Sequence, residues 1–382
     1  MLDRDSSHSA TGIRNDSISD VINMSKKISW LGAIFGALVL TGAGCIQFSG
    51  SAKGPMGIFR SNDAVETWQQ KNVLLTAQGV KSLGTAKVYK IYTDPSDAKA
   101  LYMGTRGQGL YYSYDSGETW SVSAAMAGKY IYGLTVDPRD KCTIYTSDGP
   151  HIFKTTDCQR NWELLFTEER PTQRFVALVS DISDSKIIYG AQAGGDVFRS
   201  KDGGQSWRII KRFNFELRHL TADPQNPHRL YAASYNQGLY RSDDGGENWT
   251  NISGGLANFS DSLTFNRLVL NPAQKDSLFW ISKYGILRSE DAGATWSDIQ
   301  LLTPPGSVNI YSFALNQKNP LEMYYTGTIL GEKNENVRST LYKTVDGGKN
   351  WVTKKLPTNT IPVELLVHKE NGKVIFLGFT TL

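Results

Sequence analysis

"SDDGGENW", Ser242–Trp249, sets acidic residues, two glycines and a tryptophan within eight positions. Near-copies recur along the chain: "SNDAVETW" from Ser61, "SYDSGETW" from Ser113, "TTDCQRNW" from Thr155, "SKDGGQSW" from Ser200, "SEDAGATW" from Ser289 and "TVDGGKNW" from Thr344. The shared frame is Ser/Thr-x-Asp-x-Gly-x-(Thr/Ser/Asn)-Trp. It fixes Asp63, Asp115, Asp157, Asp202, Asp244, Asp291 and Asp346, and with them Trp68, Trp120, Trp162, Trp207, Trp249, Trp296 and Trp351. The 382-residue chain has nine tryptophans. Seven of them end a copy, so the motif belongs to the architecture.

Each position has a physical task. The Asp carboxylate accepts hydrogen bonds from backbone N–H groups of its own turn, and Ser or Thr does the same more weakly. Glycine supplies the positive φ that a tight hairpin requires. Val65 and Gln159 stand in the glycine place in two copies. The tryptophan, just past the turn, covers the hairpin end while its indole N–H reaches a partner. The motif therefore reads as a structural staple whose hydrogen-bonding capacity is used within the turn.

A short strand precedes each copy, as in "GIFRS", "DVFRS" and "GLYRS". Further upstream, two strands flank an Asp-Pro or similar turn, as in "YGLTVDPRDKCTIYTS" and "HLTADPQNPHRLYAAS". A unit is thus four short strands, a to d, with the motif between c and d. The units repeat every 42 to 55 residues, Asp to Asp. Four strands at this period predict an all-β fold, a β-propeller of four-stranded antiparallel blades. The first copy, at Ser61, lacks strands a and b. The last stretch, "PVELLVHKENGKVIFLGF", has a and b alone. Six whole blades and one shared blade make seven, and pairing the N- and C-terminal strands closes the ring and removes an open edge.

The first 56 residues are of another kind. Residues 1–23 are polar, without apolar periodicity, and read as disordered or as a misplaced start before Met24. Residues 24–45 hold Lys26 and Lys27, the apolar run Ile28–Leu40, and small residues before Cys45, the layout of an export signal. The stretch resembles a bacterial lipoprotein signal, which implies lipidation at Cys45, although Gly42 stands where such signals carry Leu. The other reading is an uncleaved membrane anchor over Ile28–Phe48. Both predict a membrane-anchored, extracytoplasmic protein, with residues 46–56 as linker and 57–382 as propeller.

Cys142 opens one strand of the third motif's hairpin, and Cys158 follows the other. They are equidistant from the turn at Gly149–Pro150. A Cys142–Cys158 disulfide is expected there, and an exported chain permits it. Two buried free thiols are the alternative.

The motif copies resemble the Asp-box, or BNR, repeats of extracytoplasmic β-propellers, over roughly Gly57–Phe379. Sialidases, xyloglucan-type glycoside hydrolases, sortilin-like receptors and the photosystem II stability/assembly factor family share them. The repeat length, blade number and leader are most similar to the last. That resemblance implies a non-enzymatic protein-binding or assembly scaffold. The alternative is a carbohydrate-binding protein or glycoside hydrolase of the same propeller type.

Charge and motifs narrow the choice. Net charge is +4, with no Lys/Arg run or aromatic-interleaved basic stripe, which argues against nucleic acid. No HExxH, P-loop, G-x-S-x-G or zinc spacing appears. Most acidic residues fall in motif copies or in a–b turns, such as Asp94, Asp137 and Asp223, rather than as a carboxylate pair for glycoside hydrolysis. No catalytic residue, cofactor or metal ligand is therefore assigned. Propellers bind partners on the face carrying the d–a and b–c loops. Counting four residues back from each a–b turn selects Lys90, Gly133, Ala177, His219, Arg267, Ser312 and Glu364, one height around the channel mouth. Arg174 and Arg218 lie beside them. "TEERPTQR" adds Glu168, Glu169 and Arg170, and a b–c insertion at Thr326–Thr340 joins the same face. The candidate binding rim is Lys90, His219, Arg267, Glu364, Arg174 and Arg218, for a protein partner or a glycan. An ordinary solvated rim is the competing reading.

Overall fold

The computed structural model describes residues 54–330 and 337–381. Cys45, the segment read as an export signal or anchor, and most of the stretch read as a linker lie outside the described residues. Seven four-stranded antiparallel sheets form the seven blades. From strand a to strand d, the first blade is Val88–Thr93, Leu101–Thr105, Leu110–Ser113 and Ser121–Val122. The next five repeat that order through Val352–Lys354. The seventh takes strands a and b from Ile361–Val367 and Ile375–Thr380, and strands c and d from Gly57–Ser61 and Gln69–Gln70. Gly57 pairs with Phe379, Phe59 with Leu377 and Ser61 with Ile375, so the two ends of the propeller share one sheet. The innermost strands touch in unbroken succession around the ring, that of the seventh blade meeting that of the first.

The core lies between blades. Strand b is buried along its whole length in most blades, as in "LYMGT" and "IYGAQ", because both of its faces are covered by neighbouring sheets. Each seam carries one hydrophobic cluster. At the closing seam Ile58 and Phe376 of the seventh blade pack with Val88, Ile91 and Leu101 of the first. Ring closure thus hides an edge and also completes a core.

The Ser/Thr and Asp bonds of the turn motif recur in every copy, whereas the indole N–H reaches a partner in five and is buried without one at Trp120 and Trp296. In "SKDGGQSW" the Ser200 hydroxyl donates to Asp202 Oδ1 at 2.8 Å and accepts from Gly204 N–H at 2.8 Å. Asp202 also accepts from Ser206 N–H at 2.9 Å and from the Ser206 hydroxyl. The fourth and fifth motif residues both take positive φ, 71° and 97° for Gly203 and Gly204. Val65 and Gln159 hold the same geometry, at φ 74° and 72°.

A second recurring device links the blades. The residue before the motif Ser or Thr is a cation in six copies, and in five of these it donates to the carbonyl of the fourth motif residue one blade on. These bonds are Arg60 to Ser116 (2.9 Å), Lys154 to Gly203 (3.0 Å), Arg199 to Gly245 (2.8 Å), Arg241 to Ala292 (3.0 Å) and Lys343 to Ala64 (3.3 Å). Arg288 pairs with Glu290 instead. Where Tyr112 replaces the cation, the facing fourth residue is Cys158, and it is disulfide-bonded to Cys142.

Two features differ from the sequence reading. Val73–Thr76 and Gly79–Ser82 form an extra hairpin against the outer edge of the first blade, with Leu75 N–H bonded to Trp120 O and Trp120 N–H to Val73 O. The stretch read as a b–c insertion is a strand extension: the ladder continues from Thr326↔Leu341 to Leu330↔Val337.

Candidate functional site

Strand a enters from the d–a loop, so its first residues stand at the channel mouth. In six blades a β-bulge falls there, immediately before the residue that the a–b turn count selects. In the first blade Val88 faces Thr105 and Lys90 faces Gly104, leaving Tyr89 as the extra residue. A bulge sets two residues opposite one and breaks simple alternation. Tyr89, Arg218 and Tyr311 are bulge residues of this kind, and Tyr132 holds the matching place before Gly133.

The mouth is built of arginine and tyrosine. Tyr130 and Tyr132 stack with ring centroids 4.1 Å apart, and Tyr89 meets Tyr130 edge-on at 5.1 Å. Arg106, from a b–c loop, lies over the Tyr89 ring at 5.9 Å. Arg174 lies over Tyr132 at 5.8 Å, and Arg218 over Tyr235 at 5.0 Å. Burial raises the Tyr89 hydroxyl above its ordinary range, and the charges of Arg106, Arg218 and Arg174 oppose that rise. Residues from four blades thus meet within one electrostatic neighbourhood. Arg106, Arg174 and Arg218 are exposed. Arg218 pairs with Glu216 at 3.0 Å, while among the described residues no carboxylate pairs with Arg106 or Arg174. Glu168 and Arg170 are joined to Gln192 and Asp196 in a network of their own.

Below the mouth lies the selected ring. Arg267 grips Glu364 with two hydrogen bonds, Nη1 to Oε1 at 2.7 Å and Nη2 to Oε2 at 2.8 Å, and Nη2 also reaches the Val363 carbonyl. The pair spans the sixth blade, where Ser312 is small and bonded to Thr326. Lys90 stands over the Tyr92 ring at 5.1 Å. Burial lowers its ammonium from the ordinary lysine range; Glu364 acts against that and Arg267 with it. Burial, with the charges of Lys90 and Arg267, pushes His219 well below the usual imidazole range, so the ring is neutral at pH 7. Lys90, His219, Arg267 and Glu364 therefore share one polar layer. Between Lys90 and His219 the layer holds Gly133 and Ala177, and there a cavity of about 240 Å³ opens, also lined by Tyr92, Thr135, Ser180 and Thr221. Gly133 allows close packing as well: a Cβ there would meet the Leu178 nitrogen at 3.0 Å. A separate cleft of about 280 Å³ beside Tyr284 and Leu301 has Asp298 as its one charged lining residue.

The acids of the opposite face serve turns. Asp94, Asp137, Asp181 and Asp223 each accept from a backbone N–H two residues on. Among the described inner strands the acids are Asp137, at such a turn, and Glu364, held by Arg267. No group of three or more His, Cys, Asp or Glu residues that could hold a metal ion occurs among the described residues.

A family model described as the DUF6242 beta propeller domain matches residues 134–377. The chain belongs to that family. Xyloglucanase Xgh74A of Acetivibrio thermocellus is 31% identical over 156 residues, which are 40% of this chain and 16% of that enzyme. The DUF6242 chain thus spans about a sixth of the length of this curated relative. Among solved structures it is similar to the GH74 xyloglucanase from Xanthomonas campestris, with a TM-score of 0.61 and 16% identity, covering 78% of this chain and 51% of that one. It is also similar to YCF48 bound to D1 peptide, with a TM-score of 0.58 and 15% identity, covering 78% of this chain and 94% of that one. These structural likenesses show the fold.

Proposed function

We propose that this DUF6242 propeller is a non-enzymatic binding scaffold that takes an acidic protein segment at its tyrosine–arginine mouth. One observation carries the reading: Arg106, Arg174 and Arg218 converge on Tyr89, Tyr130, Tyr132 and Tyr235 at one end of the channel. Arginine and tyrosine dominate binding hot spots because they combine large contact area with directed hydrogen bonds. A peptide-bound propeller of the same fold, YCF48, supports a protein ligand. We further propose that the scaffold works outside the cytoplasm, tethered by the segment ending at Cys45. The Cys142–Cys158 disulfide is in keeping with an oxidising compartment.

Glycan binding or hydrolysis is the second reading, favoured by the 31% identity to a xyloglucanase segment. Hydrolysis needs a carboxylate pair, and Glu364, the acid of the inner layer, is gripped by Arg267. Fluorescence anisotropy of the full chain against acidic peptides and against xyloglucan oligosaccharides separates the two. The scaffold reading expects peptide binding that weakens with salt and falls at least tenfold in Arg106→Ala/Arg174→Ala. Saccharide binding or cleavage without peptide binding contradicts it.

A further inference from the structure

We infer that the channel cavity beneath the mouth is a binding site for one small oxyanion, with the Lys90 ammonium as its charged anchor. The inference is independent of any protein ligand at the mouth.

The layer around this cavity is electrically unbalanced. Arg267 and Glu364 neutralise each other in a two-point pair. His219 is neutral. Lys90 is left, and among the described residues no carboxylate lies in ion-pair range of it. The acid whose field reaches Lys90 is Glu364, already bound by Arg267. Lys90 is half-buried at the channel wall, and a cation partly withdrawn from water carries a desolvation cost that a counter-ion offsets. The space for that counter-ion is present. Gly133 and Ala177 contribute almost no side chain at this height, and the gap they leave, about 240 Å³, runs from Lys90 to His219.

The walls suit an oxyanion. The Lys90 ammonium and the imidazole N–H of His219 are the donors at the cavity, while the Tyr92, Thr135 and Thr221 hydroxyls line it and donate to Tyr132 O, Ser180 Oγ and Ala222 O. A phosphate, a sulfate or a carboxylate accepts from such donors through two or more oxygens. A bare halide offers no such set of directed acceptors. Two sources share this chemistry: an inorganic tetrahedral anion and the carboxylate of an organic acid.

Thermal unfolding of the full chain tests the site. Phosphate, sulfate or acetate is exchanged for chloride at fixed ionic strength. Binding raises Tm by about 2–4 °C at an anion concentration about ten times Kd. A response to phosphate and sulfate assigns an inorganic anion, and a response to acetate alone assigns an organic acid; each supports the site. Lys90→Met removes the charge and abolishes the shift. Ala177→Val fills the gap without touching any charge, and abolishes it too. Arg106→Ala/Arg174→Ala, which disables the mouth, keeps it, so this site and the peptide site fail separately. No shift with any of the three anions overturns the inference. So does a shift that survives in both Lys90→Met and Ala177→Val, or one lost in the mouth variant alone.

Discussion

At the scale of single residues, the turn motif shows how much a local pattern determines. Its hydrogen bonds close within eight residues, so the sequence alone exposes them, and all seven copies share one geometry. Ser200 is 1% exposed and satisfies the buried Gly204 N–H. Ser200→Ala strands that donor and is expected to cost about 1–3 kcal/mol in urea unfolding, whereas Ser200→Thr, the residue found at Thr155 and Thr344, is nearly neutral. The aspartates give a pH signature. Hydrogen bonds from Thr67 hold Asp63 at about 2, and those from Ser206 hold Asp202 at about 2, below an ordinary value of 3.8. Asp157 and Asp346 are held at about 2 by Asn161 and Asn350. A depressed folded value means stability that is complete above about pH 4 and lost as pH falls toward 2. Urea unfolding at stepped pH, followed by circular dichroism, is expected to show stability falling between about pH 4 and 2 and no loss between pH 7 and 5 from these groups.

At the scale of strands and blades, long-range pairing hides information from the sequence. The cation before six of the motifs is visible as Arg-Ser or Lys-Thr, yet the carbonyl that five of them reach, one blade away, appears only once the blades stand side by side. Arg199 is 4% exposed at its side chain, donates to Gly245 O and pairs with Glu247. Arg199→Met is expected to cost about 1.5–3 kcal/mol. Arg208→Met, at an exposed partner of the same Glu247, stays within about 0.5 kcal/mol. Chemical denaturation of the two variants side by side checks the contrast. The bulges hide in the same way. Counting back from the a–b turn reaches Lys90, His219, Arg267 and Glu364, because that stretch of strand keeps its register. It stops one residue short of Tyr89 and Tyr311, and it gives no sign of Arg106, which arrives from a b–c loop. Aromatic residues placed just before the count were the available signal, and a strict two-residue alternation turns them away from the channel.

At the scale of the whole molecule, the leftover half-blades at the two ends of the repeat region were enough to fix seven blades and their closure. The charge balance of the channel was not legible, because it depends on which side chains meet across the ring. Glu364 reaches Arg267 from the innermost strand of the seventh blade, across the small Ser312 of the sixth. The mouth and the anion cavity inherit their shape from that closure. Hydrogen–deuterium exchange of the full chain, followed by mass spectrometry, tests closure most directly. The closed ring predicts that the amides of Ile58–Ser61 exchange as slowly as those of Ile375–Phe379 and as the strand b amides of the other blades, all through the same global opening. Fast exchange at Ile58–Ser61 beside a protected Ile375–Phe379 would contradict it.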